Sequence, residues 1–394
     1  MSERKFFVIG ISDSHNQEFS SEVLDIIKKG KSFSGGKRHY ELIRDFLPDK
    51  SVWIDIVVPL DQALREYEKW KEIIVFASGD PLFYGFAATL KREFPDDEIV
   101  VYPSFNALQM LSHKLLLPYG EMINISLTGR SWENLDISLL ENREMIGVLT
   151  DKNKTPSSIA RYLLEYGYDN YKMFIGQQLG NDEEKVREME LDEAAKTDFK
   201  APNCLILKMK QHRKRFFGIP EKEFNLLDGR ANMITKRAVR MVSLSLLDLF
   251  DKKVLWDIGF CTGSVSIEAK LNFPKLNVVA FEKREEALDL LKRNSRKFGV
   301  PGIKGLTGNF LDMDLKEFPR PDAVFIGGHG GKLNDIIKRL MKYMNPGGVI
   351  VFNSVTKESY NLFKNSVESN GLAVVETHSI TIDQHNPITV LKAE

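Results

Sequence analysis

The stretch KVLWDIGFCTGSVSIEAK, residues 253–270, decides the fold of the C-terminal half of this chain. It opens with an apolar run typical of a buried strand and continues with helical spacing. Between the two, Gly259 and Gly263 predict a turn at which the backbone can approach a ligand closely. Free N–H groups at the start of the helix favour a carboxylate or a phosphate there. The stretch therefore predicts a Rossmann-like strand–turn–helix with a ligand at its turn.

The rest of the C-terminal half continues this alternation of strands and helices. Strand-like runs lie at residues 253–259, 277–283, 322–328 and 347–354. REEALDLLKRNSRKF, residues 284–298, is an amphipathic helix that Gly299 ends. The last two runs, residues 373–383 and 387–394, are joined by Gln384, His385 and Asn386 and predict a hairpin. A parallel sheet that ends in an antiparallel hairpin is the usual shape of class I methyltransferases.

The N-terminal half also alternates, in two sets. Strand-like runs of the first set lie at residues 6–11, 52–58, 72–78 and 98–104. A second set begins after about Glu121 and has runs at residues 122–130, 145–151, 171–180 and 203–210. We expect two small α/β lobes, about 1–117 and 118–210, within a domain of residues 1–210. The charged segment 211–224 is interpreted as a linker to a domain at 225–394.

Composition narrows the classes of function. The 394 residues are 43% hydrophobic and 28% charged, which is ordinary for a globular protein. Lys plus Arg and Asp plus Glu each number 55, so the charge favours neither nucleic acid nor an anionic membrane. The two cysteines have no partners at metal-ligand spacing, and no apolar run approaches a membrane span. We expect a cytoplasmic protein without a bound metal.

The turn after residue 256 is specific enough to choose between cofactors. A dinucleotide-binding site requires the pattern G-x-G-x-x-G. When the pattern is started at Gly259, its second and third glycine positions hold Cys261 and Ser264 instead. Asp257, Gly259 and Gly263 instead match D-x-G-x-x-x-G, the pattern of S-adenosylmethionine-dependent methyltransferases. The alternative is that these glycines only close helix against strand.

Two residues near this turn refine the expectation. Glu282 ends the next strand, 19 residues after Gly263, where a carboxylate can accept hydrogen bonds from ribose hydroxyls. Cys261 stands where such methyltransferases usually have glycine, and a positive φ would strain it. Its simpler interpretation is a small buried filler.

Five stretches of the C-terminal half together resemble the precorrin decarboxylase–methyltransferase family of cobalamin biosynthesis. They are FGIPEKEF, MITKRAVR, WDIGFCTGSVSIEA, PDAVFIGGHGG and NPGGVIVFNSVT. The resemblance implies methylation of carbon 15 of a corrin precursor and decarboxylation of the acetate on ring C. It implies S-adenosylmethionine contacts at Thr235, Asp257, Gly259, Phe260, Cys261, Thr262, Gly263, Glu282, Asn309 and Phe310. The family usually has Asp-Ala in place of Asn309-Phe310.

ASGDPLFYG, residues 77–85, is the strongest motif of the N-terminal half. Asp80 and Pro81 also suit the N-cap and first position of a helix, which is a sufficient structural explanation. With SFNALQML, LTGR, TDKNKTPSSIARYL and IGQQLGNDEEKV, the motif resembles the tetrapyrrole methylase family, in its precorrin-6Y carbon-5 branch. That family binds S-adenosylmethionine between two α/β lobes. The resemblance implies contacts at Gly79, Asp80, Phe83, Asn106, Ala107, Thr150 and Leu179.

The first loop of the N-terminal half departs from this family. The family usually has G-x-G-P-G after its first strand, beside the substrate site. This chain has GISDS at residues 10–14. The loss of two glycines and a proline changes the loop, and activity at carbon 5 is in question.

A polycarboxylate substrate requires cationic contacts and room for a flat ring. The candidate cations are Lys236, Arg237 and Arg240 in the second half and Arg130 in the first; a solvated helix face is the alternative for the first three. The loop FIGGHGG offers Gly327, Gly328, Gly330 and Gly331 to a flat ligand, unless it is only a flexible turn. His329 can donate a proton near neutral pH or merely line the loop.

The two resemblances support one hypothesis, since the family's two domains occur fused in this order. The expected fold is α/β, with a two-lobed tetrapyrrole methylase fold followed by a Rossmann-like class I methyltransferase fold. The expected activity is methylation of precorrin-6Y or its cobalt form at carbons 5 and 15, with decarboxylation, by a homo-oligomer. One alternative confines activity to the C-terminal half and makes the first half a scaffold that holds substrate. A methyltransferase of RNA or small molecules is disfavoured, because FIGGHGG replaces the N/D-P-P-[FY] motif of amino-group methylation.

Overall fold

The computed structural model describes residues 4–230, 233–382 and 387–394. Packing divides the chain into two compact units. The first unit comprises the chain up to residue 131 together with 144–162 and 170–210. The second comprises 132–143, 163–169 and the chain from residue 211 onward. Within the described ranges, no helix combines the length and the apolar character needed to span a membrane.

The first sheet of the first unit is entirely parallel. Its strands are β1 (Lys5–Ile11), β2 (Ser32–Gly35), β3 (Val52–Asp55), β4 (Glu72–Ser78) and β5 (Glu98–Tyr102), in the order β3-β2-β4-β1-β5. The accompanying helices are α1 (Ser21–Lys29), α2 (Lys37–Ile43), α3 (Asp61–Tyr67), α4 (Phe86–Glu93) and α5 (Ala107–Lys114). Alternate residues of β4 enter two different cores, Ile73 and Val75 one and Ile74 and Phe76 the other. This explains its unbroken apolar run, because a parallel sheet is covered on both faces.

The second sheet of the first unit is mixed. Its strands are β6 (Ile123–Ser126), β7 (Met145–Leu149), β8 (Tyr171–Gln177), β9 (Lys185–Glu190) and β10 (Asn203–Met209), in the order β6-β7-β10-β8-β9. Only β6 and β7 pair in parallel. The helices of this stretch of sequence are α6 (Glu133–Leu140), α7 (Pro156–Glu165) and α8 (Leu191–Ala194).

The second unit contains a seven-stranded sheet. Its strands are β11 (Val254–Ile258), β12 (Asn277–Glu282), β13 (Ile303–Thr307), β14 (Ala323–Ile326), β15 (Val349–Ser354), β16 (Val374–Ile380) and β17 (Ile388–Ala393). The order is β13-β12-β11-β14-β15-β17-β16, in which only the pairs made by β17 are antiparallel. The helices are α9 (Arg237–Leu246), α10 (Ser264–Asn272), α11 (Glu286–Phe298), α12 (Leu333–Leu340) and α13 (Lys357–Ser369).

The order of the second sheet positions its ligand site. The strands run outward from β11, to β12 on one side and to β14 on the other. The connections that follow β11 and β14 therefore lead to opposite sides of the sheet and leave a crevice above their first residues, where ligands of open α/β sheets bind. The core beneath this crevice includes Trp256, Phe281 and Phe352.

The α/β fold class expected from the sequence is confirmed, and so is the antiparallel terminal pair β16–β17. The residues predicted to join that pair, Gln384, His385 and Asn386, lie outside the described residues. Strand β2, SFSG, gave no strand signal, because it is four residues of serine, phenylalanine and glycine flanked by Gly30 and Gly36. Strand β9, KVREME, is an edge strand with charged residues, which conceals it in a hydrophobicity pattern.

Candidate active site

A pocket of about 770 Å³ lies at the carboxyl ends of the parallel strands of the second unit. Its walls come from the segments that follow β11, β12, β13 and β14, and from the residues that precede α9. The residues expected from the sequence that line it are Thr235, Lys236, Asp257, Gly259, Phe260, Cys261, Thr262, Glu282, Asn309, Phe310, Gly327, Gly328, His329 and Gly330. It also contains residues without a sequence signal, among them Met233, Lys332, Val355 and Ile388.

Two glycine-rich loops meet at the base of this pocket. Gly259 has φ +80°, and a Cβ atom added to it would lie 2.6 Å from the backbone nitrogen of Gly328. The backbone N–H of Gly327 donates to the carbonyl of Ile258 over 2.8 Å. Gly263, with φ +75°, is the left-handed residue before α10, and an added Cβ would lie 2.3 Å from Leu291 Cδ1. Glycine is therefore required at both ends of the turn, although Gly263 does not itself line the pocket.

The sequence leads us to expect S-adenosylmethionine in this pocket and in the first unit. On that expectation Gly259→Ala should remove one of the two sites, and it should lower the unfolding temperature. A left-handed alanine costs about 1–2 kcal/mol, and its Cβ would push the loop at Gly328 away. Gly347→Ala is the matched control, since Gly347 has φ +71° with nothing within 4 Å of an added Cβ. Calorimetric titration should give one site fewer for Gly259→Ala and an unchanged number for Gly347→Ala. Equal site numbers in both variants would contradict the role given to Gly259.

Cys261 adopts the strained conformation that the sequence predicts for a non-glycine residue here. Its φ is +48°. Its backbone N–H donates to Glu282 Oε2 over 3.1 Å, and its thiol donates to the carbonyl of Met233 over 3.1 Å. Burial, and then the negative charge of Glu282, raise the pKa of the thiol. The cysteine is thus more than a filler, because it ties the turn to the segment before α9.

Asp257 and Thr262 belong to the pocket lining, and each has a side-chain oxygen atom that is buried. Asp257 is 1% exposed, and its Oδ2 accepts a 2.6 Å hydrogen bond from Ser266 Oγ. Asp257 Oδ1 and Thr262 Oγ1 are buried without a hydrogen-bond partner among the described residues. Burial raises the pKa of Asp257 to about 7. A buried polar atom without a partner is costly, so this pair indicates a ligand with complementary groups.

Glu282 is already well supplied with hydrogen bonds. Its Oε1 accepts from the backbone N–H groups of Lys283 (2.8 Å) and Arg284 (3.2 Å) and from Arg284 Nη1 (3.1 Å). Its Oε2 accepts only from Cys261 in the described part of the chain. An ionised carboxylate has about four acceptor positions, and those of Oε1 are already taken. The position left for a ligand hydroxyl is therefore on Oε2.

Asn309 and Phe310 form the wall that follows β13. Asn309 Nδ2 donates to Asp312 Oδ2 over 2.6 Å, and its Oδ1 accepts from the backbone of Leu311 over 3.3 Å. Its side chain thus holds the turn. The Phe310 ring packs edge-on against Trp256 and Phe281, with centroids 6.2 and 5.1 Å apart. This wall offers an aromatic edge to a flat group.

The cations expected to bind substrate are placed very differently. Lys236 lines the pocket, but Arg237 is an exposed residue outside its lining. Arg240 does not contact substrate, which corrects the expectation, because it is 0% exposed and paired with Glu268. Its Nη1 donates to the carbonyl of Thr235 over 2.5 Å, so it supports the pocket from behind.

The glycine loop holds His329 in a defined state. The backbone N–H of Gly331 donates to His329 Nδ1 over 3.2 Å, and burial lowers the pKa of the imidazole. The ring is therefore neutral at pH 7, with its proton on Nε2. Of the two expectations for His329, a neutral ring supports the one in which it lines the loop and offers a hydrogen bond. Gly331 itself is not part of the pocket lining.

A smaller pocket, of about 160 Å³, lies in the first unit. Of the residues expected there, its lining includes Gly79, Phe83, Asn106, Ala107 and Leu179. Gly79 has φ +61°, and an added Cβ would lie 2.8 Å from Asn106 Cα, so the two loops are in close contact. Asn106 caps α5, accepting a 3.0 Å hydrogen bond from the backbone of Gln109.

Three residues expected at this site are outside its lining. Asp80 Oδ1 accepts from the backbone N–H of Leu82 over 2.8 Å, in a turn; the helix begins only at Phe86, so Asp80 is not its N-cap. Thr150 Oγ1 donates to Asn203 over 2.5 Å. The guanidinium of Arg130 lies 5.3 Å from the centre of the Tyr84 ring.

Two different protein families match the N-terminal and the C-terminal half of the chain. The family described as "Precorrin methyltransferase domain" matches residues 228–393, and the tetrapyrrole (corrin/porphyrin) methylases match residues 5–195. A precorrin-6Y C(5,15)-methyltransferase [decarboxylating] of Sinorhizobium sp is 27% identical over 89% of this chain and 84% of its own length.

Two further relatives match less than half of this chain. A cobalt-precorrin-6B C(15)-methyltransferase (decarboxylating) of Salmonella typhimurium is 40% identical over 35% of this chain and 70% of its own length. The crystal structure of a precorrin-6Y C5,15-methyltransferase from Geobacter metallireducens is 34% identical, with a TM-score of 0.41, over 45% of this chain and 96% of that one. The chain belongs to the decarboxylating precorrin methyltransferase family, in which a tetrapyrrole methylase domain precedes a precorrin methyltransferase domain.

Proposed function

We propose that this enzyme uses S-adenosylmethionine to methylate a corrin precursor, precorrin-6Y or its cobalt form, at carbons 5 and 15. The second unit performs the carbon-15 methylation and removes the carboxylate of the ring C acetate. The first unit performs the methylation at carbon 5. Relatives named for both carbons, and for carbon 15 alone, support this assignment.

The pair of buried oxygens, Asp257 Oδ1 and Thr262 Oγ1, carries the proposal for the cofactor. S-adenosylmethionine has an ammonium group and ribose hydroxyls that need acceptors, and an adenine that needs a flat wall. Asp257 supplies an acceptor for the ammonium group, Glu282 Oε2 one for a hydroxyl, and Phe310 an aromatic edge. The residues present therefore fit this cofactor.

In methyl transfer the protein positions the cofactor and the substrate and excludes water from them. When bound, the cofactor supplies a methyl group on a sulfonium, which is already a good electrophile. A meso carbon flanked by enamine nitrogens is already a nucleophile, so orientation supplies much of the rate. Gly327 and Gly328 allow a flat macrocycle to approach the turn at Gly259, because neither residue places a side chain between them.

Decarboxylation requires a place for an electron pair. The conjugated imine of the macrocycle accepts the electron pair released when the bond to carbon dioxide breaks, and this pair then takes a proton from water to complete the methyl group on ring C. The chain then has to hold the carboxylate out of the ring plane. Lys236 is one of the cations that line the pocket and can bind this carboxylate, and His329 offers a hydrogen bond through Nε2.

Mass spectrometry of precorrin-6Y, or its cobalt form, after incubation with enzyme and S-adenosylmethionine tests the proposal. We expect a gain of two methyl groups and loss of carbon dioxide. Gly259→Ala should leave one methyl gain without decarboxylation, whereas Gly79→Ala should leave one methyl gain with it. No mass change with either substrate would refute the proposal.

A second candidate function makes the first unit a scaffold that only holds substrate. The small volume of its pocket, about 160 Å³, and the residues Ser12 and Asp13 in its first loop favour this alternative. In that case the natural enzyme would add one methyl group, and Gly79→Ala would leave the product unchanged.

We further propose that the enzyme acts in the cytoplasm as a homo-oligomer, without a nucleic-acid or membrane partner. The balance of 55 basic and 55 acidic residues and the two free cysteines, Cys204 and Cys261, support this. Light scattering coupled to gel filtration measures the oligomeric state, and a monomer at working concentration would exclude a homo-oligomer.

A further inference from the structure

Four polar side chains meet beside the pocket of the first unit: Asp13, Arg38, His39 and Ser78. Asp13, Arg38 and Ser78 belong to the pocket lining. Ser78 ends β4, and Arg38 and His39 are in the first turn of α2. None of the four was expected from the sequence to bind a ligand.

His39 is fixed as a hydrogen-bond donor to Ser78. Its Nδ1 accepts from the backbone N–H of Gly36 over 3.2 Å. Burial, and then the positive charge of Arg38, lower the pKa of His39 to about 4, so the ring is neutral at pH 7. A neutral imidazole carries one proton, which must then be on Nε2. Nε2 lies 2.9 Å from Ser78 Oγ and donates to it.

Both acceptor positions of the Ser78 hydroxyl are consequently occupied, and only its O–H remains as a hydrogen-bond donor. A hydroxyl has two acceptor positions and one donor. Arg38 Nη2 donates to Ser78 Oγ over 3.0 Å, and His39 occupies the other acceptor position. Among the described residues, no acceptor forms a hydrogen bond with the Ser78 O–H. Ser78 is exposed, so this donor is available at the pocket.

Arg38 adds a positive charge in a fixed orientation. Its Nε lies 3.4 Å from Asp13 Oδ1, and the Arg38 side chain is 43% exposed. Asp13 is itself held by Asn181 Nδ2, 3.4 Å from Asp13 Oδ2. The Nε edge of the guanidinium thus faces Asp13, and one Nη2 proton faces Ser78. Nη1 remains available, and a fixed guanidinium loses less entropy when it binds an anion.

We propose that Arg38 and Ser78 form a carboxylate-binding site of the first unit. The inference rests on the proposed function, because the carboxylate belongs either to a side chain of the tetrapyrrole or to the methionyl part of S-adenosylmethionine. It gives the altered loop GISDS a role, since Asp13 of that loop orients Arg38. Arg38 and Ser78 contact the ligand, and Asp13 and His39 are positioning residues.

The test uses the full chain and the product composition, because carbon-15 methylation serves as an internal control. We expect Arg38→Gln to raise KM for one of the two ligands about 10- to 100-fold in carbon-5 methylation, as for loss of a charge-assisted hydrogen bond. Methylation at carbon 15 and decarboxylation should keep their rates. Lys37→Gln is the matched control, an exposed neighbour outside the pocket lining, and should change nothing. Ser78→Ala should raise the same KM as Arg38→Gln, by a smaller factor.

The outcomes separate the sources of the carboxylate. A raised KM for the tetrapyrrole identifies a substrate side chain, and a raised KM for S-adenosylmethionine identifies the cofactor. If both KM values stay within twofold of the natural enzyme while carbon 5 is still methylated, the inference is overturned. Failure of the natural enzyme to methylate carbon 5 would instead refute the proposed function of this unit and the inference with it. An unfolding temperature of Arg38→Gln within about 2 °C of that of the natural enzyme, measured by differential scanning calorimetry, excludes unfolding of the first unit as the cause of a loss.

Discussion

Arg240→Met should lower the unfolding temperature of the second unit by about 6–20 °C. Arg240 and Glu268 are both fully buried, and Glu268 Oε1 also accepts the backbone N–H of Ile219 over 2.9 Å. Removal of the arginine leaves a buried carboxylate without its counter-charge, which costs about 3–5 kcal/mol. For a domain of this size, each kcal/mol corresponds to about 2–4 °C. Differential scanning calorimetry measures the shift.

The control for this prediction lies one turn earlier on the same helix. Arg237 is exposed, so Arg237→Met should change the unfolding temperature by about 2 °C or less. Arg240→Met should also weaken cofactor binding, because Arg240 holds the carbonyl of Thr235 at the pocket. If Arg240→Met keeps its unfolding temperature and changes only the affinity for tetrapyrrole, Arg240 binds substrate after all.

Asp257→Asn should raise KM for S-adenosylmethionine in the decarboxylating methylation about 10- to 100-fold at pH 7.5. The substitution preserves shape and keeps a partner for Ser266, but it removes the negative charge that would face the ammonium group. A hydrogen bond to a charged group is worth about 1.5–3 kcal/mol, which corresponds to this factor. Steady-state kinetics with mass-spectrometric detection of product measures it.

The same residue predicts a dependence on pH. Burial raises the pKa of Asp257 to about 7, so the side chain is increasingly protonated below that pH. A cation prefers the ionised form, and the natural enzyme should therefore bind the cofactor more weakly as pH falls from 7 to 5.5. The limit is tenfold per pH unit, and Asp257→Asn should abolish the dependence. A dependence that persists in Asp257→Asn would assign it to another group.

The sequence predicted the parts of the site that backbone geometry imposes. Gly259 and Gly79 could be found because turns that leave parallel strands and touch another loop exclude a Cβ atom. Asp257 and Glu282 could be found because each lies at a fixed place relative to its strand end. These features depend on the order of neighbouring residues along the chain, which can be read directly from the sequence.

The remaining parts depend on contacts between distant segments. Lys236, Arg237 and Arg240 look alike in MITKRAVR, and only packing distinguishes a pocket cation, an exposed one and a buried one. The group at Arg38 brings together residues from β4, α2 and the loop after β1, and no local pattern connects them. For His329 the sequence left two alternatives open, a proton donor or a residue that lines the loop, because the burial that lowers its pKa is invisible in the sequence.

The division of the chain by packing also limits how the enzyme can be dissected. Residues 132–143 and 163–169 belong to the second unit, where Leu140 packs in its core and Tyr168 Oη donates to the carbonyl of Gly299 over 2.8 Å. A fragment ending at residue 210 would keep these segments and lose their partners. The apolar surface exposed by this truncation would favour aggregation. Failure of such a fragment to bind ligand would therefore not show that the first unit lacks a binding site. Point variants in the intact polypeptide are the sounder way to assign each half its chemistry.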